Sequence, residues 1–422
     1  MDSIQIKKVS NVYSDVTISG AKNSVLPLLC SSVIYQDSIF SNVPDLSDVK
    51  KLLSILTDDL DMSYKLDTHL EISSNNIQDN VILKSPENSK IRYSTLLMGA
   101  LLGRGCESIT IPKSGGCASF GDRPIDIHLE GFKQLGFCIT ETDTSTIIKG
   151  KISSNPIMVH LRFPSVGATI NLIFASLKTK QVVTISNVAI EPEIIDLISY
   201  LNKKGENITL TDRTVTIKES SCEVKNIVHE VIYDRIEAMS YIVLSTLSKS
   251  KMLIKNVPYI YMEQPFKFLE SLGVKYELLN KISGIADLRV IGFVPIEGGH
   301  ELNTSVYPGI GTDYQPVIAP LMLYTGGIIR DEIYPLRFKY LEELRQLGLE
   351  AKIMLGQASI ESNKVTFNDE ISMNSYDLRS GFFNLIIGSV FSKKCTIYNP
   401  EQIFRGYEDL ERKLSSFGIE LN

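Results

Sequence analysis

The sequence predicts an α/β protein assembled from six repeated αβ units, three to a domain. Two observations carry this. A pattern of helix, strand and second helix recurs at roughly 70-residue intervals along the 422 residues. In each copy the first helix is apolar nearly all round after its opening turn, which marks a helix buried on most faces. Such a unit cannot bury its own helix. Three units packed about a shared centre would place three helices inside and the sheets outside, twice over. The other arrangement of alternating strands and helices is a doubly wound sheet around one cofactor crevice. No G-x-G-x-x-G opens a helix in this chain.

The six first helices start at Ala21-Lys22-Asn23-Ser24-Val25-Leu26, Ile91-Arg92-Tyr93-Ser94-Thr95-Leu96, Ser165-Val166-Gly167-Ala168-Thr169, Asp234-Arg235-Ile236-Glu237, Thr312-Asp313-Tyr314-Gln315 and Asp377-Leu378-Arg379-Ser380. Their polar residues cluster at the N-terminal end, where free backbone N–H groups and the helix dipole favour anions. Thr312-Asp313 also reads as an N-cap for the fifth helix. The second helices are amphipathic. Five of them, at 124–135, 191–204, 263–272, 341–347 and 407–417, run into Gly136, Gly205, Gly273, Gly348 and Gly418, as suits the left-handed position after a helix. The first, 46–56, runs into Thr57-Asp58-Asp59 without a glycine. Short β-branched runs such as Ser108-Ile109-Thr110-Ile111 and Val182-Val183-Thr184-Ile185 read as strands.

Composition narrows the function. The net charge is -6 and no dense basic stretch occurs, which excludes nucleic acid as a partner and leaves anion binding to a few placed Arg and Lys residues. No apolar run approaches the ~18 residues of a membrane span, and the start lacks the pattern of a secretory signal. The expected location is the cytoplasm. Six scattered cysteines form no CxxC pair, and the five histidines are equally dispersed. Neither a metal site nor any other cofactor is expected.

Seven short segments carry more specific information. They are Ser19-Gly20-Ala21-Lys22-Asn23; Gly115-Gly116-Cys117 with Gly121-Asp122-Arg123-Pro124-Ile125-Asp126-Ile127-His128; Ser165-Val166-Gly167-Ala168-Thr169; Asp234-Arg235-Ile236-Glu237; Pro308-Gly309 with Thr312-Asp313 and Gln315; Asp377-Leu378-Arg379; and Arg405-Gly406-Tyr407-Glu408. In this order and spacing the chain resembles the UDP-N-acetylglucosamine 1-carboxyvinyltransferases, from about residue 15 to the C-terminus, and more distantly the shikimate-pathway enolpyruvyl transferases. The resemblance implies a two-domain inside-out α/β barrel with the active site in the interdomain cleft. Residues 1–21 with 233–422 would form one domain and residues 22–232 the other.

The implied reaction moves the enolpyruvyl group of phosphoenolpyruvate to the 3-hydroxyl of UDP-N-acetylglucosamine and releases phosphate, the first committed step of peptidoglycan synthesis. A paralogue acting on another uridine nucleotide or sugar is the alternative. By resemblance, Lys22, Arg123 and Arg405 clamp phosphoenolpyruvate, with Arg337 and Arg379 nearby in role. Asp313 is the base that takes the acceptor's proton. Cys117 is the general acid and can form an adduct with fosfomycin. Catalysis would fall to Lys22, Cys117, Asp313 and Arg405, and substrate contacts to Lys22, Asn23, Arg92, Arg123, Pro124, Ile125, Asp126, Ile127, Ser165, Val166, Gly167, Asp313, Arg337, Asp377, Arg379 and Arg405. Forked guanidinium groups suit phosphate and carboxylate oxygens.

The chain departs from the pattern in three places. Ala118-Ser119-Phe120 puts three residues between Cys117 and Gly121, one more than usual, so counting back from Arg123 sets Ala118 at the acid position. Either the loop bulges and keeps the thiol in place, or the thiol is displaced. Pro335-Leu336-Arg337-Phe338 stands where Glu-Asn-Arg-Phe is usual, and Tyr233 where Pro is common.

Overall fold

The computed structural model describes residues 3–8, 15–74, 77–113, 124–152, 157–220, 223–362 and 366–422. The fold is mixed α/β, and its described strands form six four-stranded sheets. All six share one plan. In the third, Ile157–His160 runs parallel to Val183–Ser186, which is antiparallel to Thr214–Lys218, which is antiparallel to the edge strand Asn207–Thr211. The buried helix lies between the two parallel strands in the chain, and the amphipathic helix between the second strand and the closing hairpin.

Three strands come from distant parts of the chain. Val228–Glu230 leads the first sheet, parallel to Asp37–Ser41. Val16–Thr17 leads the fourth, parallel to Leu253–Val257. Ser3–Lys8 sits inside the sixth, antiparallel to both Ser392–Tyr398 and Ile419–Leu421.

The first helices are Lys22–Ser31, Leu97–Arg104, Val166–Ala175, Arg235–Ser248, Gln315–Thr325 and Leu378–Phe391. They are buried along nearly their whole length, as their all-round apolar sequence requires. Their side chains form two separate hydrophobic clusters. One draws on residues from Val25 to Val231. The other draws on Ile4, Ile6, Val16 and Ile18 together with residues from Ile236 to Ile419. Leu97–Arg104 packs closely on Val166–Ala175 because Gly99 and Gly103 lack side chains. A Cβ on Gly103 would lie 2.0 Å from the Phe174 carbonyl oxygen.

The glycines after the second helices all have positive φ, from 70° at Gly418 to 106° at Gly136. The glycine-less first copy runs further than its sequence suggested, through Ser47–Leu60. It is ended by Asp61 at φ 50°, a residue type that tolerates the left-handed region. Three other copies differ from the expected α-helix; in the last, the run expected over 407–417 is α-helical only over Leu410–Ser415. Arg92–Leu96 is a 3-10 turn that precedes Leu97–Arg104, and Lys339–Leu347 is a 3-10 helix throughout.

The chain passes from one cluster to the other along two adjacent segments. Gly20 and Tyr233 form an antiparallel bridge, flanked by the Ala21 N–H donating to the Ile232 carbonyl at 2.7 Å and the Asp234 N–H to the Ser19 carbonyl at 2.9 Å. A Cβ on Gly20 would meet the Asn42 oxygen at 1.9 Å. This pairing places the N-termini of Lys22–Ser31 and Arg235–Ser248 side by side.

Candidate active site

The N-terminal ends of the buried helices face a cavity of about 370 Å³. Its wall takes Lys22, Asn23, Arg92 and Ser165-Val166-Gly167 from around the first cluster, and Asp313, Arg337, Asp377 and Arg405 from around the second. Most of the expected residues therefore meet at one place. Cys117 and Arg123 lie outside the described residues.

Lys22 opens its helix and is 5% exposed. Its Nζ is 2.7 Å from Asp48 Oδ2. Burial lowers the Lys22 pKa, with Arg405 and Arg379 pushing the same way, while Asp48 opposes the shift. Arg405 reaches Asp48 from the other side, with Nε donating to Oδ1 at 3.0 Å and Nη2 to Oδ2 at 3.3 Å. Asn23 Oδ1 accepts from the Tyr93 hydroxyl at 2.8 Å.

Around the second cluster, Asp377 caps Leu378–Phe391 in a capping box with Ser380. Its Oδ1 also accepts from Arg337 Nη2 at 3.3 Å. The Arg337 Nη1 donates to Asp313 Oδ1 at 2.7 Å and to Thr312 Oγ1 at 3.1 Å. Asp313 caps no helix. Thr312–Tyr314 is a 3-10 turn, and Gln315–Thr325 follows with no side-chain cap. The Asp313 carboxylate is instead turned to Arg337 and keeps 30% exposure. Burial raises its pKa, but Arg337, Arg379 and Lys22 outweigh that and hold it well below the usual carboxylate range.

Arg379 is fully buried and adds no surface to the cavity wall. Its Nε stands 3.7 Å from Asp313 Oδ2, and its guanidinium lies over the Tyr407 ring at 5.3 Å. None of its nitrogens has an acceptor of ordinary hydrogen-bond geometry among the described residues. Its charge is balanced by the nearby Asp313 carboxylate and the Tyr407 ring.

Pro124, Ile125, Asp126 and Ile127 are not on the cavity wall among the described residues. Pro124 reaches the site through its carbonyl, which accepts from Arg92 Nη2 at 3.2 Å. Ile125 and Ile127 pack on the first hydrophobic cluster, and the Asp126 carboxylate pairs with Arg162. The next residue, His128, does line the cavity. Asn171 fixes its tautomer. Asn171 Oδ1 accepts from the Gly99 N–H and its Nδ2 donates to the Thr95 carbonyl, so that same Nδ2 faces His128 Nδ1 at 2.7 Å as a donor. Burial, aided by the Arg92 charge, pushes His128 down to about 3. At neutral pH it is an uncharged ring with its proton on Nε2.

Sequence reasoning missed Asp48, Glu193 and the link between Glu193 and Arg235. Arg235 Nε donates to Glu193 Oε1 at 2.9 Å, joining the two halves of the cavity. Asp48 sits in the first turn of Ser47–Leu60, where an acidic residue is unremarkable on dipole grounds alone. Only the spatial meeting with Lys22 and Arg405 sets it apart. Among the described residues no group of His, Cys, Asp and Glu could hold a metal ion, and no helix is long and apolar enough to cross a membrane.

Comparison with known proteins decides the family. The family model described as EPSP synthase (3-phosphoshikimate 1-carboxyvinyltransferase) matches residues 6–414. The chain belongs to the EPSP synthase family. It is a transferase of the carboxyvinyl, or enolpyruvyl, class. Within the family it is 33% identical over 426 residues to UDP-N-acetylglucosamine 1-carboxyvinyltransferase 2 of Staphylococcus aureus, covering 99% of this chain and 98% of that protein. UDP-N-acetylglucosamine 1-carboxyvinyltransferase 1 of Staphylococcus haemolyticus is equally similar, at 33% over 426 residues with the same coverage. The fold matches the enolpyruvyl transferase NikO from Streptomyces tendae with a TM-score of 0.85 at 18% identity, over 100% of this chain and 98% of that one. It matches an EPSP synthase from Acinetobacter baumannii at 0.71 and 14% identity, over 99% and 100%.

Proposed function

We propose that the chain transfers the enolpyruvyl group of phosphoenolpyruvate to the 3-hydroxyl of UDP-N-acetylglucosamine. The observation that carries this reading is the convergence of Lys22, Arg337, Arg379 and Arg405 around Asp313 and Asp48 at one cavity. With Asp377 also paired to Arg337, four cations meet three carboxylates there, and the surplus positive charge suits a ligand bearing both phosphate and carboxylate. The two hydrophobic clusters act as the cores of two domains, residues 22–232 and residues 1–21 with 233–422, each an inside-out barrel of three units. The reaction lies between them, in the cytoplasm, as the first committed step of peptidoglycan synthesis.

The chemistry has two stages. The acceptor hydroxyl bonds to C2 of phosphoenolpyruvate and loses its proton to Asp313, while the C3 methylene gains a proton from an acid, the role assigned to Cys117. Next the C2–O bond to phosphate breaks and phosphate leaves with the bonding pair, C3 returns a proton to the thiolate left by the first stage, and the vinyl group re-forms on the acceptor oxygen. Arg337, Arg379 and Lys22 stabilise the ionised form of Asp313 and so weaken it as a base. The phosphate and carboxylate of bound substrate neutralise those cations and so strengthen Asp313 as a base when a proton is to be taken. Arg123 joins Lys22 and Arg405 in the clamp. Ser165 to Gly167, Arg92 and the turn Pro124 to Ile127 hold the uridine nucleotide, with Asn23 beside the reacting groups.

Phosphate release from phosphoenolpyruvate is the test, with UDP-N-acetylglucosamine, other UDP-sugars and UMP as acceptors. Release that depends on UDP-N-acetylglucosamine is expected. Release with another uridine nucleotide but not with UDP-N-acetylglucosamine would replace this acceptor with a paralogue's. No release with any acceptor would overturn the transfer.

A further inference from the structure

Asp48 is 1% exposed, yet both of its oxygens are occupied by cations and neither by its own helix. Oδ2 takes Lys22 Nζ at 2.7 Å and Arg405 Nη2 at 3.3 Å, and Oδ1 takes Arg405 Nε at 3.0 Å. Lys22 and Asp48 belong with the first hydrophobic cluster and Arg405 with the second, so this one carboxylate spans the cavity. A second contact between the same segments runs beside it. Glu408 Oε1 accepts from the Asp45 N–H at 2.7 Å, and Glu408 Oε2 from Ser19 Oγ at 2.5 Å.

We propose that Asp48 is the positioning residue of the anion clamp, a built-in counter-anion that keeps Lys22 protonated and draws Arg405 over it before a substrate anion arrives. This rests on the reading of Lys22 and Arg405 as the clamp. The charge count supports it. One carboxylate against Lys22 and Arg405, with Arg379 close enough to act on Lys22, leaves net positive charge for the ligand. Without that carboxylate, like charges would crowd a buried ammonium. The groups acting on Lys22 are Asp48 from Ser47–Leu60, Arg405 following Glu401–Phe404, and Arg379 from Leu378–Phe391. Asp313, beside Gln315–Thr325, feels the Lys22 charge in return. Burial, Arg405 and Arg379 all favour the neutral amine, and Asp48 opposes them through both its charge and its hydrogen bond. Asp48 itself stays ionised, because Lys22 and Arg405 outweigh the cost of its burial.

The experiment is calorimetric titration of phosphoenolpyruvate, and separately of inorganic phosphate, from about pH 6 to about pH 10. The proteins are wild type, Asp48→Asn, Asp48→Ser and Asp48→Glu, each checked for a cooperative melt. Wild-type affinity is expected to fall as pH rises through the Lys22 pKa. In Asp48→Asn and Asp48→Ser the midpoint moves to lower pH by about one unit or more, the usual effect of deleting an opposite charge at this range. Asp48→Glu restores it. The serine variant carries the measurement if the asparagine variant does not fold. A carboxylate needed only for stability would lower the melting temperature and leave the midpoint in place, and that result overturns the proposal. The binding readout is independent of turnover. A shifted midpoint in a protein that releases no phosphate with any acceptor would uphold Asp48's role and sink the transfer reading.

Discussion

Arg337 holds Asp313 by a 2.7 Å hydrogen bond from Nη1 to Oδ1, and the same guanidinium reaches the helix-capping carboxylate of Asp377 through Nη2. The proposed base is thus oriented by an arginine that is itself anchored to the start of the next buried helix. Rotation of Asp313 would break a chain of contacts that includes the capping box of Leu378–Phe391. Pre-orientation of this kind is what proton transfer in a defined direction needs.

Replacing Asp313 by Asn keeps the shape and removes the base. Turnover by phosphate release is expected to fall by about 10²- to 10⁴-fold, with the melt still cooperative and phosphoenolpyruvate still bound. Turnover near that of wild type would remove Asp313 from the mechanism.

The same residue has a signature in stability against pH. Its folded-state pKa is depressed, so its ionised form contributes stability that is fully present above the unfolded carboxylate value of about 3.9. That contribution is lost as pH falls towards the folded-state value. The stability difference between wild type and Asp313→Asn is therefore expected to be largest near neutrality and to shrink below about pH 4. Denaturant melts at a series of pH values measure it. A difference that stays constant on acidification would show that Arg337 and Arg379 do not favour the ionised form.

Fosfomycin reports on Cys117. A thiolate opens the epoxide to give a thioether with no leaving group, so the intact mass should rise by one molecule of the drug, and turnover should stop. The Cys117→Ala variant should stay unlabelled. Unmodified wild-type protein after saturating exposure, with normal turnover, would show that the three-residue spacing to Gly121 displaces the thiol from the acid position.

Much of this architecture was legible because buried helices announce themselves. The runs after Lys22, Arg235 and Asp377 have no polar face, and the six glycine or polar stops gave the unit count. Where a unit departs from its copies, local pattern was a poorer guide. Ser47–Leu60 outran its expected end because Asp61 took up the left-handed conformation that glycine takes elsewhere. In the site, residues at helix starts could be named in advance, since that is where anions are held. Asp48 could not, because an aspartate in a first helical turn has the same sequence appearance whether it serves the helix dipole or two distant cations. Asp313 shows the converse. Its sequence context suits a cap, and only the position of Arg337 reveals that its carboxylate is turned elsewhere.

The strand Ser3–Lys8 has a consequence for how the chain is made. It lies between Ser392–Tyr398 and Ile419–Leu421, so this strand has no sheet to join until both of those segments have been synthesised. The first sheet, by contrast, is completed by Val228–Glu230 and needs nothing from beyond that strand. Deletion of Ser3–Lys8 would therefore remove an inner strand from this sheet and strip Ile419–Leu421 of its pairing partner, far along the chain from the deletion.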